Sequence, residues 1–331
     1  MCVFSKKENL VKLLKLLVAA IGMASSIASA QTPGYPNKIV HIIVPFSPGS
    51  ATDIIARTIG DKLSTSLGQP VVVENRPGAG GTIGAGVVAA SAPDGYTLLV
   101  QSSGHTVNPH MYTTLTYDTL RDFAGVTTLV NLPNVLVVSP GKGIKSVQEL
   151  VAAAKAKPGQ LNYASAGSGS ATHMNAEKFR AAAGFDAVHI PYKGTPEAIT
   201  EVIAGRVDYF FAPMVSGLPM IKDGKVLALA VGSAKRSSIL PDVPTTVEAG
   251  VPGSDYNFWI GMLAPAKTPR DIITRLNEEV LKALQAPEVR ERLAKLGAEP
   301  LPMSPEQFDA YIRDELAANA RIVKAAGIKA N

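Results

Sequence analysis

The sequence predicts an α/β chain of two domains, and three observations carry that prediction. The 331 residues are enough for about two domains of ordinary size. Short β-rich apolar runs alternate with stretches of helical periodicity along most of the chain. The composition is 46% hydrophobic and 18% charged, with Gly 29 and Pro 24 dispersed. That is too apolar for disorder and too irregular for a fibre or a coiled coil. The single cysteine, Cys2, excludes a disulfide framework and a cysteine-based metal site.

Residues 1–30 read as an export signal. Lys6, Lys7, Lys12 and Lys15 face a single acid, Glu8; an apolar run follows, and Ala28-Ser29-Ala30 closes the segment. A basic head, a short apolar middle and an A-x-A end predict cleavage after Ala30 and a periplasmic location. The apolar run, bounded by Lys15 and the serines, is shorter than a membrane span requires. Removing the segment takes four lysines and one glutamate and lowers the formal charge from +5 to +2. A near-neutral, cysteine-free mature chain offers no electrostatic case for nucleic acid and no thiol chemistry. No second long apolar run follows, so a soluble mature chain is expected.

Strands are predicted at residues 39–45, 71–74, 97–101, 135–138, 161–164, 188–191, 207–212 and 226–231. The clearest helix covers 52–67, where Ile55, Ile59, Leu63 and Leu67 form one stripe. Others are expected from Ala85, and over 147–156, 174–183, 197–204, 269–285, 287–296 and 305–326. The helices concentrate at the C-terminus as a block without strands of its own, which must cover a sheet formed earlier. Extended stretches at 126–138 and 255–265 are placed to cross between two domains. Two crossings imply one domain inserted into the other, with a cleft between them.

Three strand-to-helix loops share one chemistry. They are Pro45-Phe46-Ser47-Pro48-Gly49-Ser50-Ala51-Thr52-Asp53, the glycine-rich stretch 78–84, and Ser165-Ala166-Gly167-Ser168-Gly169-Ser170-Ala171-Thr172-His173. Ligands of open α/β sheets bind outside the carboxyl ends of strands, where such loops lie. Glycine admits close backbone approach, hydroxyls add donors, and helix N-termini supply free N–H groups and a positive dipole end. Each loop therefore suits a carboxylate or phosphate. The competing reading is plain helix capping, which would explain any one loop alone.

Other chemistries find less support. The 78–84 loop spaces its glycines one residue too widely for the commonest dinucleotide fingerprint, and no acid ends the next strand. Ser168 does not sit in a G-x-S-x-G elbow. The five histidines show no helical zinc spacing, and no metal or other cofactor is expected. His105 and His173, in or beside glycine- and serine-rich loops, are candidate ligand donors. Asp53 is either a first-turn carboxylate or a base or amine partner, and Asp208 reads better as a strand-edge residue. Lys193, in the turn Tyr192-Lys193-Gly194-Thr195, either points at the cleft or is solvated.

The motifs "IVPFSPGSATDIIAR", "GQPVVVENRPGAGGTIGA", "APDGYTLL", "NYASAGSGSATHMNAEKF", "IPYKGTPEAITEVIAGRVDYFF" and "LPDVPTTVEAGVPG" run in this order through the chain. In that combination the sequence resembles the Bug-type periplasmic solute-binding receptors of the tripartite tricarboxylate transporter family. The resemblance implies a two-domain, Venus-flytrap fold of the periplasmic-binding-protein kind, each domain a mostly parallel sheet flanked by helices. Expected boundaries are a signal at 1–30, a first domain at 31–130, a second at 131–254, and a return with C-terminal helices at 255–331.

The resemblance also implies a ligand carboxylate held by backbone amides of the first loop, over Phe46, Pro48, Gly49, Ser50, Ala51, Thr52 and Asp53. Further contributors would be Ser165, Gly167, Ser168, Gly169, Ser170 and His173 of the later loop, the turn with Lys193, Gly194 and Thr195, and Ser102 with His105. Asp208 completes the candidate set. Family members usually carry two adjacent glycines where this chain has Gly49-Ser50, so Ser50 either caps the helix, offers its hydroxyl or narrows the cleft. The implied function is a monomeric receptor, not an enzyme, that delivers a small organic carboxylate to transporter membrane subunits. The ligand classes left open are dicarboxylates, amino acids and aromatic acids. Two alternatives stand beside it: an exported hydrolase or isomerase, and a sensor presenting its closed form to a signalling partner.

Overall fold

The alternating apolar runs and amphipathic stretches build two sheets within residues 34–326, the residues described in the computed structural model. The export signal lies outside them. In chain order the first part contributes β1 (Val40–Val44), α1 (Ala51–Leu67), β2 (Val71–Asn75), α2 (Thr82–Ala89), β3 (Thr97–Ser102), a one-turn α3 (Asn108–Met111) and β4 (Phe123–Asn131). The middle contributes β5 (Asn134–Val138), α4 (Val147–Ala156), β6 (Asn162–Ser165), α5 (Ala171–Ala183) and β7 (Val188–Pro191). It continues with α6 (Thr195–Ile203), β8 (Tyr209–Pro213), α7 (Met214–Lys222) and β9 (Leu227–Val231). The chain returns through β10 (Trp259–Pro265), α8 (Arg270–Gln285), α9 (Pro287–Lys295), β11 (Glu299–Pro300) and α10 (Pro305–Ala326).

The first sheet has the order β11-β4-β10-β3-β1-β2 and the second β7-β6-β8-β5-β9. The chain leaves the first sheet after Asn131, enters the second at Asn134, and comes back at Trp259. The two crossings run side by side, with Leu132 N–H donating to Phe258 O at 3.0 Å. Neither sheet is mostly parallel, which corrects the expectation. β2-β1-β3 and β7-β6-β8 are parallel, as helix crossovers require. The strands next to the crossings, β4, β10, β11, β5 and β9, pair antiparallel.

Strand alternation decides which side chain enters which core. On β8, Tyr209 and Phe211 join one cluster with Phe179 and Leu150, and Phe210 and Ala212 join the opposite one with Ile199 and Met214. A sheet buried on both faces needs such continuous apolar strands. In the first sheet, Ile43, Leu99 and Leu263 pack with Val88 of α2 and Phe308 and Ile312 of α10. The predicted stripe of α1 is wholly buried, and the helix ends on Gly68 at φ +65°.

Several helices begin earlier than their apolar periodicity announces. α2 starts at Thr82 and α5 at Ala171, because serine and glycine caps lie outside the apolar stripe. α7 is absent from the sequence reading, since Pro219 inside it argues against a helix. The C-terminal block has a short strand of its own, β11. Among the described residues no helix is long and apolar enough to cross a membrane.

Candidate functional site

The carboxyl ends of β1, β3, β6 and β8 converge on one small cavity between the two sheets. Phe46, Ser50, Ala51, Thr52, Ser102 and Phe258 line it from the first lobe. Ala166, Ser170, Ala171, Thr172, Thr195 and Pro213 line it from the second. None of these carries a charge. Instead, the N-termini of α1, α5 and α6 open on it, with first-turn amides that have no partner within the helix.

Both long loops are held by the same device. Ser50 is the N-cap of α1, its Oγ accepting Asp53 N–H at 3.4 Å. Ser170 caps α5, its Oγ accepting His173 N–H at 3.3 Å. Thr172 Oγ1 also accepts the N–H of Ala166 at 2.9 Å, closing the second loop on itself. Ser50 thus serves as cap and as cavity wall at once, so the cap reading and a place beside the cavity do not compete.

Asp53 is a brace. Its carboxylate accepts Gly49 N–H at 2.9 Å, Arg57 Nε at 3.0 and 3.1 Å, and Asn75 Nδ2 at 2.9 Å. Burial pushes its pKa up, but the bonds from Arg57, Gly49 and Asn75 with the Arg57 charge outweigh it and hold it below the ordinary value. It does not line the cavity and has no lone role as a base.

Other predicted residues lie outside the cavity, each for a visible reason. His105 is wholly buried against Tyr117 and Phe123, ring centroids 6.0 and 4.9 Å away, and burial lowers its pKa to about 4. Asp208 precedes β8, at the strand end opposite the loops. It accepts from Lys142 Nζ at 2.6 Å and Asn162 N–H at 2.8 Å. The Lys193 side chain is exposed, whereas its carbonyl accepts Ser47 N–H at 3.3 Å. Pro48 and Gly49 are exposed at the loop tip. Ser165, Gly167, Gly169 and His173 shape the second loop from behind, and Gly194 packs on Ser47.

The lobes are shut over the cavity. Ser47 Oγ donates to Glu197 at 2.6 Å, and Tyr112 OH donates to Ser168 O at 2.9 Å. Gly80, at φ +60°, has no room for a Cβ, which would fall on Ser168 O. The glycines of the 78–84 stretch therefore allow backbone of one lobe to meet backbone of the other. The remaining space is about 20 Å³, room for about one water. A much larger cavity of about 800 Å³ opens on the other side of the crossings, bordered by Leu132, Tyr256, Lys235, Leu284 and Arg290. It lies away from all three loops, so size alone does not locate the site.

Five lining residues lie outside the candidate set: Ala166, within the second loop, and Ala171, Thr172, Pro213 and Phe258. Ala171 and Thr172 were legible, standing after Ser170 as Ala51 and Thr52 stand after Ser50. Pro213, at the end of β8, was legible from strand direction. Phe258 was not, since only the paired crossings bring it to the cavity.

Residues 55–328 match the model of the tripartite tricarboxylate transporter family receptor. The chain belongs to this receptor family. Protein BugT of Bordetella pertussis is 38% identical over 323 residues, covering 97% of this chain and 99% of that protein. The structure of R. palustris Rpa4515 with adipate is 34% identical with a TM-score of 0.86, covering 89% of this chain and 99% of that one. MatC from Rhodopseudomonas palustris with bound malate is also 34% identical, with a TM-score of 0.84 and coverage of 87% and 100%. The receptor has the two-lobed Venus-flytrap fold of periplasmic binding proteins. Family membership makes the chain a solute-binding receptor and sets aside the reading of it as a hydrolase or isomerase.

Proposed function

We propose that this receptor captures a small organic dicarboxylate in the periplasm and delivers it to the membrane subunits of a tripartite transporter. The supporting observation is the convergence of α1 from one lobe and α5 and α6 from the other on a single uncharged cavity. One carboxylate would take the amides and hydroxyls at Ser50, Ala51 and Thr52, and the second those at Ser170, Ala171, Thr172 and Thr195. Two relatives of the same fold carry adipate and malate, both dicarboxylates. Three or four charge-assisted hydrogen bonds at about 1.5–3 kcal/mol each, less ordering costs, give an affinity in the micromolar range or somewhat tighter, about 10⁻⁶ M.

In this reading the two lobes are domains that part at the crossings near Leu132 and Phe258, because 20 Å³ does not admit a diacid. A ligand favours closure by touching both halves, and the closed form is what a membrane partner distinguishes. Export follows cleavage after Ala30, giving a monomeric mature chain that starts at Gln31. The test is a thermal-shift screen of refolded residues 31–331 against diacids, their monoesters and matched monoacids. A diacid is expected to raise the melting temperature by mass action, and its monoester is not. Equal shifts from diacid and monoester would reject a second carboxylate site. Intact mass of the exported protein checks the cleavage position.

A further inference from the structure

The geometry points to His173 and His189 as positioning residues of the second loop, two stacked imidazoles that anchor the amide of Gly169 directly and that of Gly167 through Ser165. The consequence for a ligand rests on the cleft reading proposed above. Gly169 N–H donates to His173 Nδ1 at 3.2 Å. His189 Nε2 lies 2.6 Å from Ser165 Oγ, which accepts Gly167 N–H at 3.0 Å. The two rings stack at 3.9 Å and 20°, on the ring of Tyr163. Neither imidazole lines the cavity, but the loop they hold contributes Ala166 and Ser170 to it.

Gly167 and Gly169 sit at φ +113° and +78°, where no side chain restrains the backbone. Between them is Ser168, whose carbonyl receives Tyr112 OH from the opposite lobe. The two anchors therefore fix both surfaces of one loop, the ligand side at Ala166 and Ser170 and the closure side at Ser168.

The contact to Gly169 requires a neutral His173 ring. Nδ1 of His173 accepts only when unprotonated, so its proton is on Nε2. The ionisable groups facing the pair are Glu177 and Arg180 on α5, Tyr163 on β6 and Tyr209 on β8. The Glu177 carboxylate is already engaged by Tyr163 OH and the Arg180 guanidinium. Burial and then Arg180 lower the His173 pKa to about 4; burial and then His173 lower that of His189 to about 3, against the pull of Glu177. Protonation of His173 at Nδ1 would remove the acceptor of the Gly169 amide, and burial holds that protonation below the ordinary imidazole value of 6.5.

Variants that keep or remove the acceptor separate this role from packing. His173→Asn and His189→Gln retain a polar atom near Nδ1 and Nε2, while His173→Leu and His189→Leu fill the volume without one. Amide exchange at Gly169 and Gly167 is the first readout, and it needs no ligand. Exchange is expected to stay near wild type in the Asn and Gln variants. In the Leu variants it should rise about tenfold, the worth of one hydrogen bond. Unchanged exchange in folded Leu variants overturns the proposal. If those variants do not fold, imidazole ¹⁵N shifts of the wild-type protein decide. His173 is expected as the Nε2–H tautomer at pH 7, and an Nδ1–H or charged ring overturns it. The same variants titrated with adipate and malate test the cleft reading separately. Exchange that follows the expected order while no acid binds would reject that reading and keep the loop assignment.

Discussion

At the scale of single residues, Ser50 and Asp53 divide the work of the first loop. Ser50 touches both the helix and the cavity, so its substitutions should separate the two roles. Ser50→Ala is expected to cost about 1 kcal/mol of stability through the lost cap, measured by denaturant unfolding. Ser50→Leu should in addition weaken diacid binding at least about tenfold, since one bond to a charged group is worth about 1.5–3 kcal/mol. Calorimetric titration reads that loss, and unchanged affinity would remove Ser50 from the site. Asp53 carries a different signature. Its pKa is held below 3.8 in the folded chain, so its stabilisation is present above that value and fades as pH falls through the lowered one. Asp53→Asn should destabilise by about 1–3 kcal/mol at neutral pH, and the gap to wild type should narrow in acid below about pH 4. A gap independent of pH would mean that shape rather than charge makes the brace.

At the scale of elements, helix ends matter more than helix faces. The apolar stripes of α1 and α5 fix where the helices lie; their serine caps fix where the amides point. The stripe of α1 was readable at once because a period near four survives any tertiary context. Apolar periodicity places the starts of α2 and α5 too late in the chain, because a cap is one residue whose geometry appears only in three dimensions. Gly80 shows what a short element adds. Its replacement by alanine meets both a left-handed backbone, at about 1 kcal/mol, and the carbonyl of Ser168. Gly80→Ala should fold, yet its radius of gyration by X-ray scattering should not contract when a bound diacid compacts the wild type. Equal compaction would show that Gly80 does not limit closure.

At the scale of the whole molecule, the proposed hinge at the paired crossings should make the two sides of the receptor move oppositely. The loop side is shut to about 20 Å³ while the far side holds about 800 Å³. A rotation that opens one must narrow the other. Spin labels at the exposed Pro48 and Lys193 should approach on ligand addition, and a pair at Lys235 and Arg290 should separate. Parallel changes in both pairs would argue against a hinge at the crossings.

Much of this was present in the sequence. Alternating periods specified an α/β chain, and the stripe at Ile55, Ile59, Leu63 and Leu67 placed its clearest helix. The repeated Ser-Ala-Thr after Gly49 and Gly169 marked two helix ends suited to a carboxylate. These are local properties, decided by residues within a few positions of one another. Tertiary structure decided the rest. It turned the sheets from mostly parallel to mixed, because strands beside a crossing must reverse direction. It buried His105 among aromatic rings, tied Asp53 to Arg57 and Asn75, and left Asp208 at the wrong end of its strand. It brought Phe258 to the cavity from a segment with no signal of its own. The dividing line is sequence separation: caps and periodicity are written in neighbours, whereas a cleft is made by residues more than a hundred positions apart.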